Sequence, residues 1–517
     1  MRLGRFASFA LLCFLLAAAA SALFYFRIIE NPLAPPVLRV SFPSDQPAQV
    51  FDPANIQLAP EYIFLENIFS PLVEFNREGK VIAGLADRFE WRGSDLIFHI
   101  RKNFKTIDGH PITARDAALS LKRLLILSKS TQGNLRSLVC EDQNIQSLAT
   151  ECKGIQFNSE ELILKPKKFR HFLLPLLTSM DFAVIPEGSI DPQTLKIIDY
   201  RNTTGPYYVE KNSPTGNIVL AANPSHYHFT HSIPKRVSLV PIKSDESIQR
   251  FGKGEIDHLT TVDFARSEQV ISLSKSSSEY RLHSTINIRT LMSVFTGKGL
   301  KTLDRKQRLS IGRAIKQSLW EYFSTKSGYE PTYQIFPVFS EGGLDKQQAS
   351  KIRELYDNSP IQPEIFKLPL KIRLVRLGNT SDLVEKLTRV FPKAEITAGG
   401  VPTFGETADM SESVPHLFIC GPDMGFLEDM GSISYGIAAG HFDLNSKTGK
   451  EWLEQYQNMD NKEERLKMLK ELHFRTLEKV ITVPIADFPY TALVRKPWRI
   501  HLPTLFANNP LWLINRD

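Results

Sequence analysis

The 517-residue chain has only four cysteines, Cys13, Cys140, Cys152 and Cys420. So thin a set excludes a small disulfide-framed scaffold, and the absence of a C-x-x-C spacing excludes a zinc ribbon or a dithiol redox centre of the usual kind. Enzyme signatures are missing too: there is no H-E-x-x-H zinc helix, no G-x-S-x-G elbow and no complete phosphate loop. Gly297-Lys298-Gly299 lacks both the upstream glycine and the Lys-Ser/Thr ending of such a loop. Asp423, Glu428 and Asp429 offer carboxylates for a hydrolytic acid–base pair, yet nothing in their spacing sets a geometry. There is no heptad run, Gly-x-y repeat or low-complexity tract. Charge of one sign is not concentrated either. Lys and Arg number 63 against 56 Asp and Glu, a net +7, and the excess is spread along the chain. That distribution leaves no footprint for nucleic acid.

What the chain does have is bulk: 42% hydrophobic residues, 28 Gly and 32 Pro over a length that implies more than one lobe. Arg2 and Arg5 precede an uncharged stretch from Phe6 to Phe26 that Arg27 closes. This segment, within residues 1–30, supports two readings. One is a secretory signal with an Ala20-Ser21-Ala22 cleavage pattern. The other is an uncleaved anchor, because the run reaches the roughly 20 residues that cross a bilayer. Leu12 stands where a lipobox before Cys13 would want a small residue. Pro32, Pro35 and Pro36 make residues 31–36 a stiff spacer.

The most legible stretch runs from Tyr62 to Leu127. Ile63, Phe64, Ile68 and Phe69 predict a short amphipathic helix. Phe89 and Trp91, then Leu96, Phe98 and Ile100, alternate on either side of Gly93-Ser94-Asp95 and predict a hairpin. Asp108-Gly109 is a turn. Thr113 and Asp116 form a capping-box pattern ahead of a helix carrying Ala117, Leu121, Leu124 and Leu125.

The ordered phrases ENIFSPLVE (66–74), GKVIAGLA (79–86), HIRK (99–102) and DGHPITARD (108–116) resemble family 5 of the bacterial extracellular solute-binding proteins. That group contains the oligopeptide and dipeptide receptors of ABC importers. Further matches continue the resemblance nearly to the end of the chain. They are Phe51-Asp52-Pro53-Ala54, the turn Thr204-Gly205-Pro206-Tyr207, Asn223-Pro224 with Tyr227, Gly254-Glu255-Ile256-Asp257, the helix beginning at Asp304, and Val483-Pro484-Ile485.

The resemblance implies an α/β fold of the periplasmic-binding-protein type. Two lobes with mixed sheets close on a ligand like a flytrap, and the first lobe carries an extra subdomain. It places lobe I at 37–242 with the subdomain at about 62–165, lobe II at 243–482, and a return to lobe I over 483–517. The implied function is capture of a short peptide or similar small solute and its delivery to ABC permease subunits in the inner membrane. The protein would act as an extracytoplasmic monomer without enzymatic activity, cofactor or metal. A membrane-anchored sensor or scaffold and, further off, a hydrolase are the alternatives.

In peptide-binding members an Asp in a D-Y-x-x-P segment takes the ligand's amino terminus. The matching region here is residues 420–429, with Asp423 first and Asp429 second; the Tyr and Pro of that segment, and a Trp upstream, are absent. Tyr62, Phe64 and Glu66 are expected to line the first-lobe wall, and Arg289 is a candidate for the ligand's carboxylate. From the residues alone, Cys140 and Cys152 flank a loop that a disulfide would close in an oxidising compartment; two free buried thiols are the alternative. His226, His228 and His231 have a spacing that could serve a metal, but no acidic or cysteine ligand adjoins them and a solvated loop is expected. Leu370–Leu377, a helix from Ser381 and a strand at Ala394–Thr397 predict a β-α-β unit and hence a partly parallel sheet. Asn461–Val480 predicts an amphipathic helix with Leu466, Leu469, Leu472 and Leu477 inside. The basic residues of the helix from Asp304, among them Arg305, Arg308, Arg313 and Lys316, are expected to form a solvated face.

Overall fold

A computed structural model describes residues 36–517 apart from 57–58, 77–78, 128–134, 136–138, 141–144, 168–169, 213–215, 244–245, 261–266, 286, 288, 338–339, 376–380, 400–412, 423–428, 430, 434–446 and 502–509. The signal-or-anchor segment and Asp423 therefore lie outside the described residues. Among the described residues, no helix is long and apolar enough to cross a membrane.

Two large mixed sheets organise the chain. The first has seven strands in the order Tyr280–Ser284, Thr491–Arg495, His258–Thr260, Val37–Phe42, Arg236–Pro241, Ile218–Ala222 and Tyr207–Asn212. Val37–Phe42 lies in its middle, parallel to both neighbours, and the other pairings are antiparallel. Leu38, Val40 and Phe42 are almost fully buried, as a central strand covered on its faces requires. The second sheet has six strands in the order Glu330–Pro331, Thr482–Phe488, Arg289–Phe295, Leu417–Cys420, Lys371–Val375 and Glu395–Gly399. Its last three strands are parallel, with the helix Ser381–Val390 linking Lys371–Val375 to Glu395–Gly399. The expected β-α-β unit is therefore present.

The lobe boundaries differ from those expected. The change of sheet falls between Ser284 and Arg289, not near residue 243, and the return falls between Phe488 and Thr491, not at 483. The Gly254–Asp257 motif thus belongs to the first lobe. Asp257 is tied there by Arg39, whose Nε and Nη2 donate to its two carboxylate oxygens at 2.8 and 2.7 Å. Val483–Ile485 lies inside the second sheet, paired with Arg289–Phe295.

The smaller four-stranded antiparallel sheet, Ala86–Arg92, Asp95–Ile100, Glu161–Leu164 and Ile155–Phe157, forms the subdomain with the helix Ala114–Leu127. It excludes the helix Ala59–Ile68, which packs in the first-lobe core against Phe51 and Tyr200. That helix is buried from Ile63 through Ile68 rather than along one stripe. The hairpin forms as expected, with Trp91 opposite Leu96 and Phe89 opposite Phe98. Gly93 supplies the positive φ of +63° at its turn. The capping box forms as well: the Thr113 amide and hydroxyl donate to Asp116 Oδ2 at 2.8 and 2.6 Å, and the Asp116 amide donates back to Thr113 Oγ1 at 3.3 Å. The single strand expected over Gly154–Leu164 is instead a hairpin broken at Asn158, whose side chain accepts from the amides of Glu160 and Glu161.

The helix Arg305–Phe323 opens on a capping box between Asp304 and Gln307. Its cations divide: Arg305 and Lys306 are exposed, as a solvated face requires, whereas Arg308 is half-buried and Arg313 and Lys316 are buried. Arg305 and Arg308 donate to the carbonyls of Glu478, Lys479 and Val480, and Lys316 Nζ is buried against the carbonyls of Thr332, Pro484 and Ile485. Arg305 and Arg308 thus satisfy carbonyls at the C-terminal end of the helix Lys462–Glu478, and Lys316 satisfies carbonyls at the strand Thr482–Phe488.

Candidate ligand-binding cleft between the lobes

Two crossing segments, 284–289 and 488–491, join the sheets. Thr285 and Tyr490 bridge them: the Tyr490 amide donates to Thr285 Oγ1 at 2.8 Å, and the Thr285 amide donates to the Tyr490 carbonyl at 2.9 Å. Arg289 stands at this crossing, 3% exposed, with its guanidinium 5.0 Å from the Tyr490 ring centroid and 5.9 Å from that of Phe488. A guanidinium within reach of two ring faces is held by both; Arg289 is therefore packed into the crossing and not exposed on an open wall. Farther along the crossing, Lys326 of the second lobe donates to Glu268 of the first at 2.9 Å.

The first-lobe candidates divide. Phe64 is fully buried, 4.9 Å from Phe51 and 6.1 Å from Tyr200 by ring centroids, so it is core and not cleft lining. Tyr62 and Glu66 lie one helical turn apart and share a face. Burial raises both of their proton affinities, and for Tyr62 the Glu66 and Asp181 carboxyls add to the effect. Glu66 is 6% exposed and its Oε1 has no hydrogen-bond partner. Such a carboxyl is favoured in its neutral form.

Asp429 is not free to receive an amine. It is 4% exposed, and its Oδ2 accepts from Tyr456 Oη and from Arg465 Nε, both at 2.8 Å. Its own amide donates to Glu341 Oε2 at 2.9 Å, and Lys462 reaches Glu341 at 2.7 Å. A buried carboxylate already holding a guanidinium and a phenol is structural in the second lobe.

This cluster meets the first lobe. Phe172, on the helix Arg170–Leu176, lies 6.0 Å from the Tyr456 ring, which stacks in turn on Trp452 at 5.1 Å. His171 beside it has neither ring nitrogen hydrogen-bonded. Burial, and then the charge of Arg465, press its pKa from 6.5 to about 4. Sequence reasoning missed His171, Tyr456 and Arg465. Arg465 sits in a run, KEERLK, that reads as an ordinary charged helix face, and no local pattern marks the other two.

The histidine tract is solvated only at its end: Thr230 and His231 are exposed, but His226 and His228 are not. His226 is 3% exposed; its Nδ1 accepts from the His228 amide at 3.1 Å and its Nε2 faces Ser70 Oγ at 3.1 Å. His228 stacks on Trp512 at 5.0 Å and reaches Glu74 at 2.9 Å. The tract therefore packs between the 70–74 segment and the chain's last turns. No group of residues suited to a metal ion occurs among the described residues. Cys140 and Cys152 are joined in a disulfide with their Cα atoms 6.0 Å apart, and Cys420 is buried and free.

Comparison with known proteins bears on what this architecture is. The family model described as "Bacterial extracellular solute-binding proteins, family 5 Middle" matches residues 80–359, more than half of the chain. The periplasmic oligopeptide-binding protein OppA of Salmonella typhimurium is 25% identical over 225 residues, 40% of each chain. The periplasmic murein peptide-binding protein MppA of Escherichia coli is 20% identical over 313 residues, 58% of this chain and 56% of that one. These matches span about half the length of the relatives. The solved structure of the Escherichia coli murein tripeptide binding protein MppA superimposes with a TM-score of 0.70 at 16% identity, covering 93% of this chain and 98% of that one, which establishes the shared two-lobed fold. The chain therefore belongs to family 5 of the bacterial extracellular solute-binding proteins.

Proposed function

We propose that the protein is an extracytoplasmic substrate-binding component of an ABC importer, capturing a short peptide or similar small solute between its lobes and passing it to a membrane permease. The observation that carries this reading is the pair of crossing segments, 284–289 and 488–491, as the sheet-to-sheet links of a two-lobed body whose family binds solutes. Two rigid lobes on so slight a connection rotate about it, and a solute that touches both lobes favours the closed arrangement. Peptide is the favoured class because the relatives OppA and MppA are named for peptide binding. The Cys140–Cys152 disulfide supports an oxidising, extracytoplasmic setting. Asp423, in the segment that matches the family's amine-binding Asp, is the residue we propose for a ligand's amino terminus, with Tyr62 and Glu66 on the opposite wall.

The test is native mass spectrometry on protein purified without refolding, paired with thermal shift against pools of short peptides. A bound mass, and a stabilisation of about 2.7 kcal/mol at a hundredfold excess over Kd, are expected. Absence of both across all pools would sink the reading, and Asp423→Asn is expected to weaken binding of free-amine peptides more than of N-acetylated ones.

A further inference from the structure

We propose that the seam between the Arg170–Leu176 helix and the Tyr456–Asp429–Arg465 cluster is an acid-opened latch, in which closure admits a neutral His171 imidazole and rejects an imidazolium. The proposal rests on the two-lobed reading above but not on which solute is bound.

The geometry is specific. His171 and Phe172 come from the first lobe, and the groups they meet come from the second: Tyr456 and Arg465 from its helices Lys447–Gln457 and Lys462–Glu478, Asp460 from the link between them, and Asp429. Phe172 packs on Tyr456 at 6.0 Å, so this is a contact surface and not a solvent gap. Both ring nitrogens of His171 are buried without a partner. The charged and titratable groups facing them are Arg465, Asp429 and Asp460. Tyr456 packs on the neighbouring Phe172, and the Glu341–Lys462 pair stands behind Asp429. Asp429 and Asp460 would favour an imidazolium, but Asp429 is already committed to Arg465 and Tyr456. Arg465 also donates to the carbonyls of Met459 and Asp460, both at 2.9 Å, so its charge is fixed beside the histidine. A proton added to His171 would face a buried guanidinium with no acceptor of its own.

Opening the lobes returns His171 to water, where its ordinary pKa of 6.5 applies; in the closed seam it lies at about 4. The open form then binds more protons between these values. The contribution to closure is complete above about 6.5 and fades as pH falls toward 4. The closing equilibrium should weaken on the order of tenfold to thirtyfold between about pH 8 and about pH 5. Solute affinity should weaken by up to the same factor, because binding draws on the closed population.

The test uses spin or fluorophore pairs placed one on each lobe of the full-length protein, read without ligand across that pH range, with far-UV circular dichroism on the same samples. The expected result is a shift toward the longer interlobe distance as pH falls, at unchanged secondary structure, in the wild type but not in His171→Gln or His171→Phe. A wild type whose distance ignores pH, or variants that open with the same pH profile, would overturn the proposal. Because no ligand is present, this outcome is separate from success or failure in finding the solute.

Discussion

Gly205 and Ile68 touch backbone to backbone. A Cβ added at Gly205 would lie 2.3 Å from the Ile68 carbonyl carbon, and the Gly205 amide donates to the Ile68 carbonyl at 2.9 Å. Beside it, Thr204 Oγ1 donates to the Val184 carbonyl at 2.6 Å and accepts from the Ser70 amide at 3.0 Å. The Thr-Gly-Pro-Tyr turn is thus a clasp over the end of the Ala59–Ile68 helix. Gly205→Ala is expected to cost about 2–4 kcal/mol, because the Ile68 atoms it would meet are main chain and cannot swing aside. Urea unfolding checks this; a loss below about 1 kcal/mol would mean that the helix end yields.

Asp52 holds Arg123, whose side chain is only 2% exposed. Arg123 Nη1 donates to Asp52 Oδ1 at 2.9 Å, Nη2 donates to Oδ2, and Nε donates to the Leu195 carbonyl at 2.7 Å. Removing only the carboxylate leaves a buried cation. Asp52→Ala should therefore cost about 3 kcal/mol or more, and Arg123→Met should cost less. The ordering of the two chemical-denaturation midpoints is the measurement, and the reverse order would refute the argument.

Asp487 is held up at about 7 by burial, against an ordinary 3.8, while Thr290 Oγ1 donates to it at 2.7 Å. A raised folded pKa means that the folded state keeps a proton the unfolded state gives up. Its contribution is complete below about 3.8 and is lost as pH rises to about 7. Asp487→Asn should remove that decline, gaining about 2–4 kcal/mol on the wild type between those limits. Stability measured at several pH values decides it; parallel curves for the two proteins would refute it.

The Cys140–Cys152 bond joins residues 12 positions apart in the chain. Its reduction, or replacement of both cysteines by serine, should cost about 2–3 kcal/mol, with the loss concentrated in the subdomain. Non-reducing mass spectrometry and thermal melts with and without reductant test this, and identical melts would deny the bond a stabilising role.

Local order was legible where short-range chemistry decides it. The Gly93 turn, the Thr113–Asp116 cap and the β-α-β unit around Ser381 follow from residues within a few positions of one another. The lobe boundary was not legible, because Tyr280–Ser284 looks the same locally whichever sheet it joins. Only its pairing with Thr491–Arg495, more than 200 residues away, assigns it to the first. The same blindness affected side-chain roles. Arg308 and Lys316 read as solvated cations until they met carbonyls from distant segments, a helix end at Lys479–Val480 for one and the 484–485 strand for the other. Asp429 read as a free carboxylate until Arg465 and Tyr456 folded over it. Phe64 shared a face pattern with cleft residues but lay in a helix buried all round.

The strand order of the first sheet has a temporal consequence. Thr491–Arg495 fits between Tyr280–Ser284 and His258–Thr260, so a chain that becomes available from its N-terminus cannot finish that sheet until residue 495 has been made. The second lobe, one uninterrupted run from 289 to 488, can assemble earlier, while the first waits with two strand edges unpaired. Any helper that guards the nascent protein would be needed most at those edges, and release of the chain's last portion should be the event that ends its vulnerability.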